Sequence, residues 1–277
     1  MHARKYNIEG CNRRWIMSLK YIFDLDGTIV DTEHHIAKIV SDVAQKKGCP
    51  LSAKEAFEKY AGMSFKDRFR DIGDQYGRSF SPKELQEMHA DYKAQKEEMF
   101  NSPELRAIEK VHQLIQRLAE HPDAELVLAT SNQVYRAHDV LESLGLTKYF
   151  EDRVFGSDLV DGRKKPDPAV HNLAVGDHPA SRCVIIEDSL VGVQSASLTG
   201  AFVVNYFDPR IPDADHSKRK AFEQAGADII LSDYDAFESE MKQNYPHWNE
   251  QSAGPKNAAC NDRGGWNSGS CLRMAAE

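Results

Sequence analysis

Two aspartates one residue apart, followed by glycine, are the first pattern in this 277-residue chain that can do chemistry: Asp24-Leu25-Asp26-Gly27-Thr28. Paired carboxylates serve nucleophilic attack, proton transfer and the binding of hard cations. The residues just before them, Lys20-Tyr21-Ile22-Phe23, read as a short buried strand. Acids leaving a strand end in this way can both project into one site. Gly27 lets the chain turn at once and bring its backbone close to a ligand. An acidic loop at a sheet edge is the bland alternative. The position at the end of the first apolar strand argues against it.

The elements that must position these acids follow from periodicity. A helix is expected after the turn, because Ile36, Ile39, Val40 and Val43 recur at helical spacing and Gly48-Cys49-Pro50 stops the pattern. From there to about Pro103 the chain reads as all-helical, with Phe65, Phe69 and Ile72 on one face and Leu85, Met88 and Tyr92 on another. Leu105, Ile108, Val111, Leu114, Ile115 and Leu118 predict one further helix. Strands then alternate with helices. The strands are expected at 125–130, 153–155, 183–187, 202–204 and 228–231. The helices are expected near 133–144, 168–176, 190–199, 217–225 and 234–243. Such alternation predicts an α/β fold: a Rossmann-like, doubly wound parallel sheet with an inserted helical domain. A ligand in such a sheet lies outside the carboxyl ends of the strands.

The first motif resembles that of the haloacid dehalogenase-like superfamily, whose phosphatases carry DxDG followed by Thr or Val. The resemblance implies three later motifs in order, and candidates for each are present. Thr130, closing Leu126-Val127-Leu128-Ala129, supplies a hydroxyl for a phosphoryl oxygen. Ser131 adds a backbone N–H, and the adjacency of the two leaves the register open by one residue; Asn132 follows. Lys165, in Lys164-Lys165-Pro166-Asp167-Pro168, supplies a fixed cation between nucleophile and phosphate. Glu187 and Asp188, after the apolar Val184-Ile185-Ile186, supply acids for Mg²⁺. Each later motif alone has an ordinary reading: a helix cap, a solvated lysine pair, acids at a helix start. Their order and their places at strand ends carry the case.

On this resemblance Asp24 is the nucleophile and Asp26 the general acid and base. Mg²⁺ is held by Asp24, the backbone carbonyl of Asp26, and Asp188, with Glu187 binding directly or through water. The helical stretch 34–103 matches the family's small cap, inserted into an α/β core at 17–33 and 104–243. Its specificity loop corresponds to Tyr60-Ala61-Gly62-Met63-Ser64-Phe65, so Gly62, Met63, Ser64 and Phe65 are the expected substrate contacts. The implied activity is Mg²⁺-dependent hydrolysis of a small phosphorylated metabolite, such as a phosphosugar. The β-phosphoglucomutase subgroup is the nearest alternative. It carries an arginine where this chain has Phe65, with Lys66 next and Arg68 farther on. A dehalogenase lacks the second aspartate. A phosphonate hydrolase needs a cap lysine, for which Lys54, Lys59 and Lys66 are the candidates. A non-catalytic binding or regulatory protein on the same fold is the alternative of another class.

Other features bound the reading. Hydrophobic residues make up 41% and charged residues 28%, with a net charge of −8, which argues against broad nucleic-acid or anionic-membrane binding. Cys11, Cys49, Cys183, Cys260 and Cys271 show no CxxC spacing and no His cluster, so neither a disulfide framework nor a zinc site is expected and a reducing, cytoplasmic setting is. No apolar run is long enough for a membrane span. The first 16 residues lack a signal-peptide apolar region and are read as an extension, with Met17 as the start. His34 and His35 are read as a polar helix start. Asp208, Asp213 and Asp215 are read as solvated, and 244–277, rich in Asn, Gly and Ser, as a disordered tail. There is no Rossmann glycine fingerprint, Walker loop, HExxH or GxSxG. A monomer is the default.

Overall fold

Strand β1 (Leu19–Phe23) is buried at every residue, so both of its faces must be covered. In the computed structural model, which describes residues 18–100, 105–121 and 123–248, it lies at the centre of a sheet. The other strands are β2 (Ala124–Ala129), β3 (Val154–Phe155), β4 (Cys183–Glu187), β5 (Phe202–Tyr206) and β6 (Ile229–Leu231). Their order is β3-β2-β1-β4-β5-β6 and every pairing is parallel. The order therefore reverses at β1, and a crevice opens there at the carboxyl edge. Register is tight at that edge: Phe23 lies beside Leu128 on one side and Ile186 on the other. The chain thus delivers residues 24, 130 and 187 to one rim.

Between β1 and β2 come helices α1 (Glu33–Lys46), α2 (Ala53–Tyr60), α3 (Phe65–Gln75), α4 (Pro82–Phe100) and α5 (Val111–Ala119). The first four occupy the stretch expected to be helical, and α1 packs on α2 and α4. The later helices are α6 (Val134–Ser143), α7 (Thr147–Phe150), α8 (Ala169–Val175), α9 (Leu190–Ser197), α10 (Ser217–Ala225) and α11 (Phe237–Asn244). Two apolar clusters cover the sheet. One, around Tyr21, Phe23, Leu114, Phe150 and Phe237, continues into the insert. The other, around Ile22, Val127, Val170, Ile185 and Val193, covers the opposite face.

Three expectations need correction. The helix expected from Leu105 begins only at Val111. Lys110 adopts φ +65° and breaks it, and Ala107 instead makes an antiparallel bridge to Val30. The Ile108 N–H donates to the Ile29 carbonyl and the Asp31 N–H to the Arg106 carbonyl. Leu105, Ile108 and Val111 are buried at every third position, which imitates the helical pattern there. Asp208 is buried and binds Arg210, and the Asp213 side chain is only 5% exposed beside Arg219, so neither is solvated. Finally, Tyr245 and Trp248, in the stretch expected to be disordered, are buried. Tyr245 lies against Phe202 and donates to the Ser181 carbonyl, and Trp248 stands edge-on to Phe237. Residues 1–16, Met17 and the tail beyond 248 lie outside the described residues. No helix among the described residues is long and apolar enough to cross a membrane.

Candidate active site

The β1 backbone reaches the rim held on both sides, and the Asp24 N–H donates to the Ile186 carbonyl at 2.9 Å. The Asp24 side chain is buried and bound by the Lys165 ammonium. Lys165 also binds Glu187 and donates to the Ala129 carbonyl at 2.9 Å. Its loop thus ties the ends of β1, β2 and β4 together. Burial opposes the Lys165 charge, but Asp24 and Glu187 more than offset that and hold its pKa above the ordinary value.

Asp24, Glu187 and Asp188 each offer a carboxylate oxygen, and the three oxygens lie within 4.8 Å of one another. Burial, aided by Glu187 and Asp26 and opposed by Lys165, raises Asp24 to about 8. Burial and then Asp24 and Glu187 push Asp188 well above the usual carboxylate range. Glu187 goes the other way, because Lys165 and then His171 outweigh its burial. Acids raised by crowding and burial are what a hard divalent cation relieves, and an all-oxygen donor set suits Mg²⁺. The residues present fit that ion.

Close approach is built into two glycines. Gly27 has φ +81°, and a Cβ on it would overlap the Asp188 carboxylate. A Cβ on Gly192, in α9, would overlap the Glu187 carboxylate. Ser189 caps α9, accepting from the Gly192 N–H at 3.1 Å. Behind Glu187, His171 Nε2 lies 3.3 Å from Oε1, and His171 Nδ1 is 2.8 Å from Ser195 Oγ, which donates to the Asp167 carbonyl.

Asp26 turns away from the metal-type cluster. Its Oδ2 accepts from Lys96 and from Asn132 Nδ2, both at 3.0 Å. Its Oδ1 is buried with no hydrogen-bond partner among the described residues. Thr130 is buried and accepts at Oγ1 from the Asn132 N–H at 3.1 Å, so its own proton is free to donate. Ser131 lies half-buried between them. The structure therefore brings Asp24, Asp26, Lys165, Glu187 and Asp188 together, with Thr130 and Asn132 at the same rim.

The insert residues divide. Gly62, Met63 and Ser64 line a cavity of about 420 Å³ that also touches Gly27, Asp188 and Tyr206. Ser64 caps α3, accepting from the Asp67 N–H at 3.2 Å and donating to Asp67 Oδ2 at 2.7 Å. Phe65 does not line the cavity and packs with Phe69, His89 and Tyr92. His34 stacks on Phe57, with ring centroids 4.3 Å apart.

Sequence reasoning misses Lys96, Glu33, His171 and Gly192. Glu33 accepts from the Gly62 N–H at 3.3 Å, and burial raises its pKa against the pull of Arg68. At a helix start it reads as a dipole acid. The other three sit in helices without any marked spacing.

Comparison with known proteins identifies relatives of the chain. Residues 21–206 match the profile described as haloacid dehalogenase-like hydrolase. The 6-phosphogluconate phosphatase of Escherichia coli K12 is 27% identical over 205 residues, which is 72% of this chain and 88% of that protein. A phosphorylated carbohydrates phosphatase of Thermotoga maritima is 28% identical over 181 residues, covering 65% of this chain and 80% of that one. The solved structure of a haloacid dehalogenase-like protein from Agrobacterium tumefaciens superposes with a TM-score of 0.66 at 22% identity. It covers 81% of this chain and 97% of its own, and shows a shared fold. The chain belongs to the haloacid dehalogenase-like hydrolases. Within that family it is an enzyme of the phosphatase kind.

Proposed function

We propose that the protein is a Mg²⁺-dependent phosphatase that hydrolyses a small phosphorylated metabolite through an aspartyl phosphate on Asp24. The observation that carries this is the three-carboxylate cluster of Asp24, Glu187 and Asp188, with Lys165 bound to the first two. Asp24 attacks phosphorus in line, and the Lys165 ammonium offsets charge between carboxylate and phosphate. The free Oδ1 of Asp26 carries the proton to the leaving oxygen and later takes one from the attacking water. Thr130 and the Ser131 N–H hold phosphoryl oxygens. Mg²⁺, when bound by Asp24, Asp188 and Glu187, supplies charge neutralisation of the phosphate. The helical insert acts as a cap that excludes bulk water, with Gly62, Met63 and Ser64 facing the substrate.

Relatives act on 6-phosphogluconate and on phosphorylated carbohydrates, so phosphosugars and their acids are the substrates to try first. The mutase reading is disfavoured by Phe65. At the position where mutases place an arginine, this side chain is packed among Phe69, His89 and Tyr92 and offers no cation. The test is phosphate release from a panel of phosphorylated metabolites, with and without Mg²⁺, on wild type and Asp24→Asn. Turnover is expected to need Mg²⁺ and to fall by about 10³-fold or more in Asp24→Asn. Metal-dependent turnover retained in the variant overturns the assignment. Interconversion of sugar 1- and 6-phosphates would favour the mutase.

A further inference from the structure

The phosphoryl group to be transferred is served by Lys165 and the acid cluster, and a second lysine reaches the site from the insert. Lys96, on α4 of the insert, places its ammonium 3.0 Å from Asp26 Oδ2, with side-chain exposures of 25% and 21%. Its helix end is clamped to the core: Glu97 binds Arg136, and Lys96 and Arg136 both lie 5.4 Å from the centre of the Phe100 ring. Lys93 stands one turn earlier on the same helix face. Lys164 immediately precedes the Lys165 that binds Asp24. Burial, then Lys96 and Lys93, hold Lys164 below the ordinary lysine pKa, and burial, then Lys93 and Lys164, do the same to His89. These groups therefore share one region beside Asp26. Neither Lys93 nor Lys164 has an ion-pair partner among the described residues.

The cavity that opens on the site has a different charge balance. The cavity beside Asp188 is lined by Asp31, Glu33, Asp67 and Asp208 against Lys59, Arg70 and Lys218. It offers no positive excess. The leaving oxygen that Asp26 serves lies within reach of Lys96, and Lys93 and Lys164 are exposed nearby.

We infer that Lys96, with Lys93 and Lys164, binds a second anionic group on the leaving half of the substrate, so that the preferred ester is a phosphorylated acid rather than a neutral phosphosugar. This deepens the phosphatase reading and rests on it. A charge-assisted contact from a partly desolvated ammonium recognises a carboxylate or a second phosphoryl alike.

The experiment compares matched pairs on the Mg²⁺-loaded enzyme: 6-phosphogluconate against glucitol 6-phosphate, and glucose 1,6-bisphosphate against glucose 6-phosphate. Wild type is expected to favour at least one anion-bearing member by roughly tenfold in kcat/KM, mostly through KM. The pair that shows it identifies carboxylate or phosphoryl. Lys96→Gln is expected to erase the preference, read as the ratio of kcat/KM between paired esters so that any loss common to both through Asp26 cancels, and Lys96→Arg to restore part of it. Equal treatment of both members by wild type overturns the inference. So does an equal loss on both members in Lys96→Gln, which would make Lys96 a positioning residue for Asp26 alone. Calorimetric binding of the same esters to Asp24→Asn repeats the comparison without turnover. A binding preference without hydrolysis of any ester, p-nitrophenyl phosphate included, sinks the phosphatase reading and leaves the anion site standing. Absence of preference in binding sinks the anion site whatever the turnover.

Discussion

The Lys165 ammonium lies between Asp24 and Glu187, so removing it leaves two carboxylates in a buried space without their cation. Lys165→Ala is expected to cost about 3–5 kcal/mol of stability in urea unfolding, in addition to abolishing turnover. A second prediction concerns pH. Asp24 is raised to about 8 and Asp188 well above its ordinary value. Between about pH 4 and 8 the metal-free folded protein therefore binds more protons than the unfolded chain, and its stability falls as pH rises. The metal-free melting temperature should be lower at pH 8 than at pH 6, and Mg²⁺ should raise it more at pH 8. Asp188→Asn should flatten that slope; an unchanged slope would count against the crowding of these acids. The acids are legible in the sequence because they sit at strand ends, and Lys165 because a Lys-Pro motif marks it in the loop before α8. Lys96 is not, because a lysine on a polar helix face resembles any other until the fold brings it to Asp26.

At the scale of elements, α9 runs so close beneath Glu187 that only glycine fits at 192. Gly192→Ala is expected to displace the Glu187 carboxylate and to lower kcat by roughly 100-fold, measured with saturating Mg²⁺. Far-UV circular dichroism should stay unchanged, since alanine favours the helix itself. The strands and helices after 124 are legible from alternating patterns, with ends shifted by a residue or a few. The segment 105–110 is not, because Leu105 and Ile108 are buried by pairing with the first linker rather than by a helix face. The Ser64 hydroxyl, read as a substrate contact, is also engaged as the cap of α3, which sequence spacing does not distinguish.

At the scale of the whole molecule, the loop after β5 and the first turn of α10 fasten the core to the insert. Arg210 binds Asp31 and Asp208 and lies 5.7 Å from the centre of the Phe57 ring, while Lys218 donates to the Glu58 carbonyl at 2.7 Å. The Lys218→Ala, Arg210→Ala double variant is expected to expose the backbone amides of α2 to faster hydrogen exchange and to raise KM about three- to tenfold with a smaller change in kcat. Unchanged exchange in α2 would mean that these contacts do not hold the insert down. The alternation of strands makes the two-part architecture readable, but these contacts join residues far apart in the chain and leave no local trace.

The antiparallel bridge between Val30 and Ala107 has a consequence for descent as well as motion. The chain leaves the sheet and returns to it through adjacent backbones, so the seventy-odd intervening residues hang from a single doorway. A short turn joining the two sides would close the α/β framework without disturbing any acid at the strand ends. On the function proposed above, selection can therefore exchange the insert, and with it the range of esters accepted, while the phosphorus chemistry beneath is inherited intact.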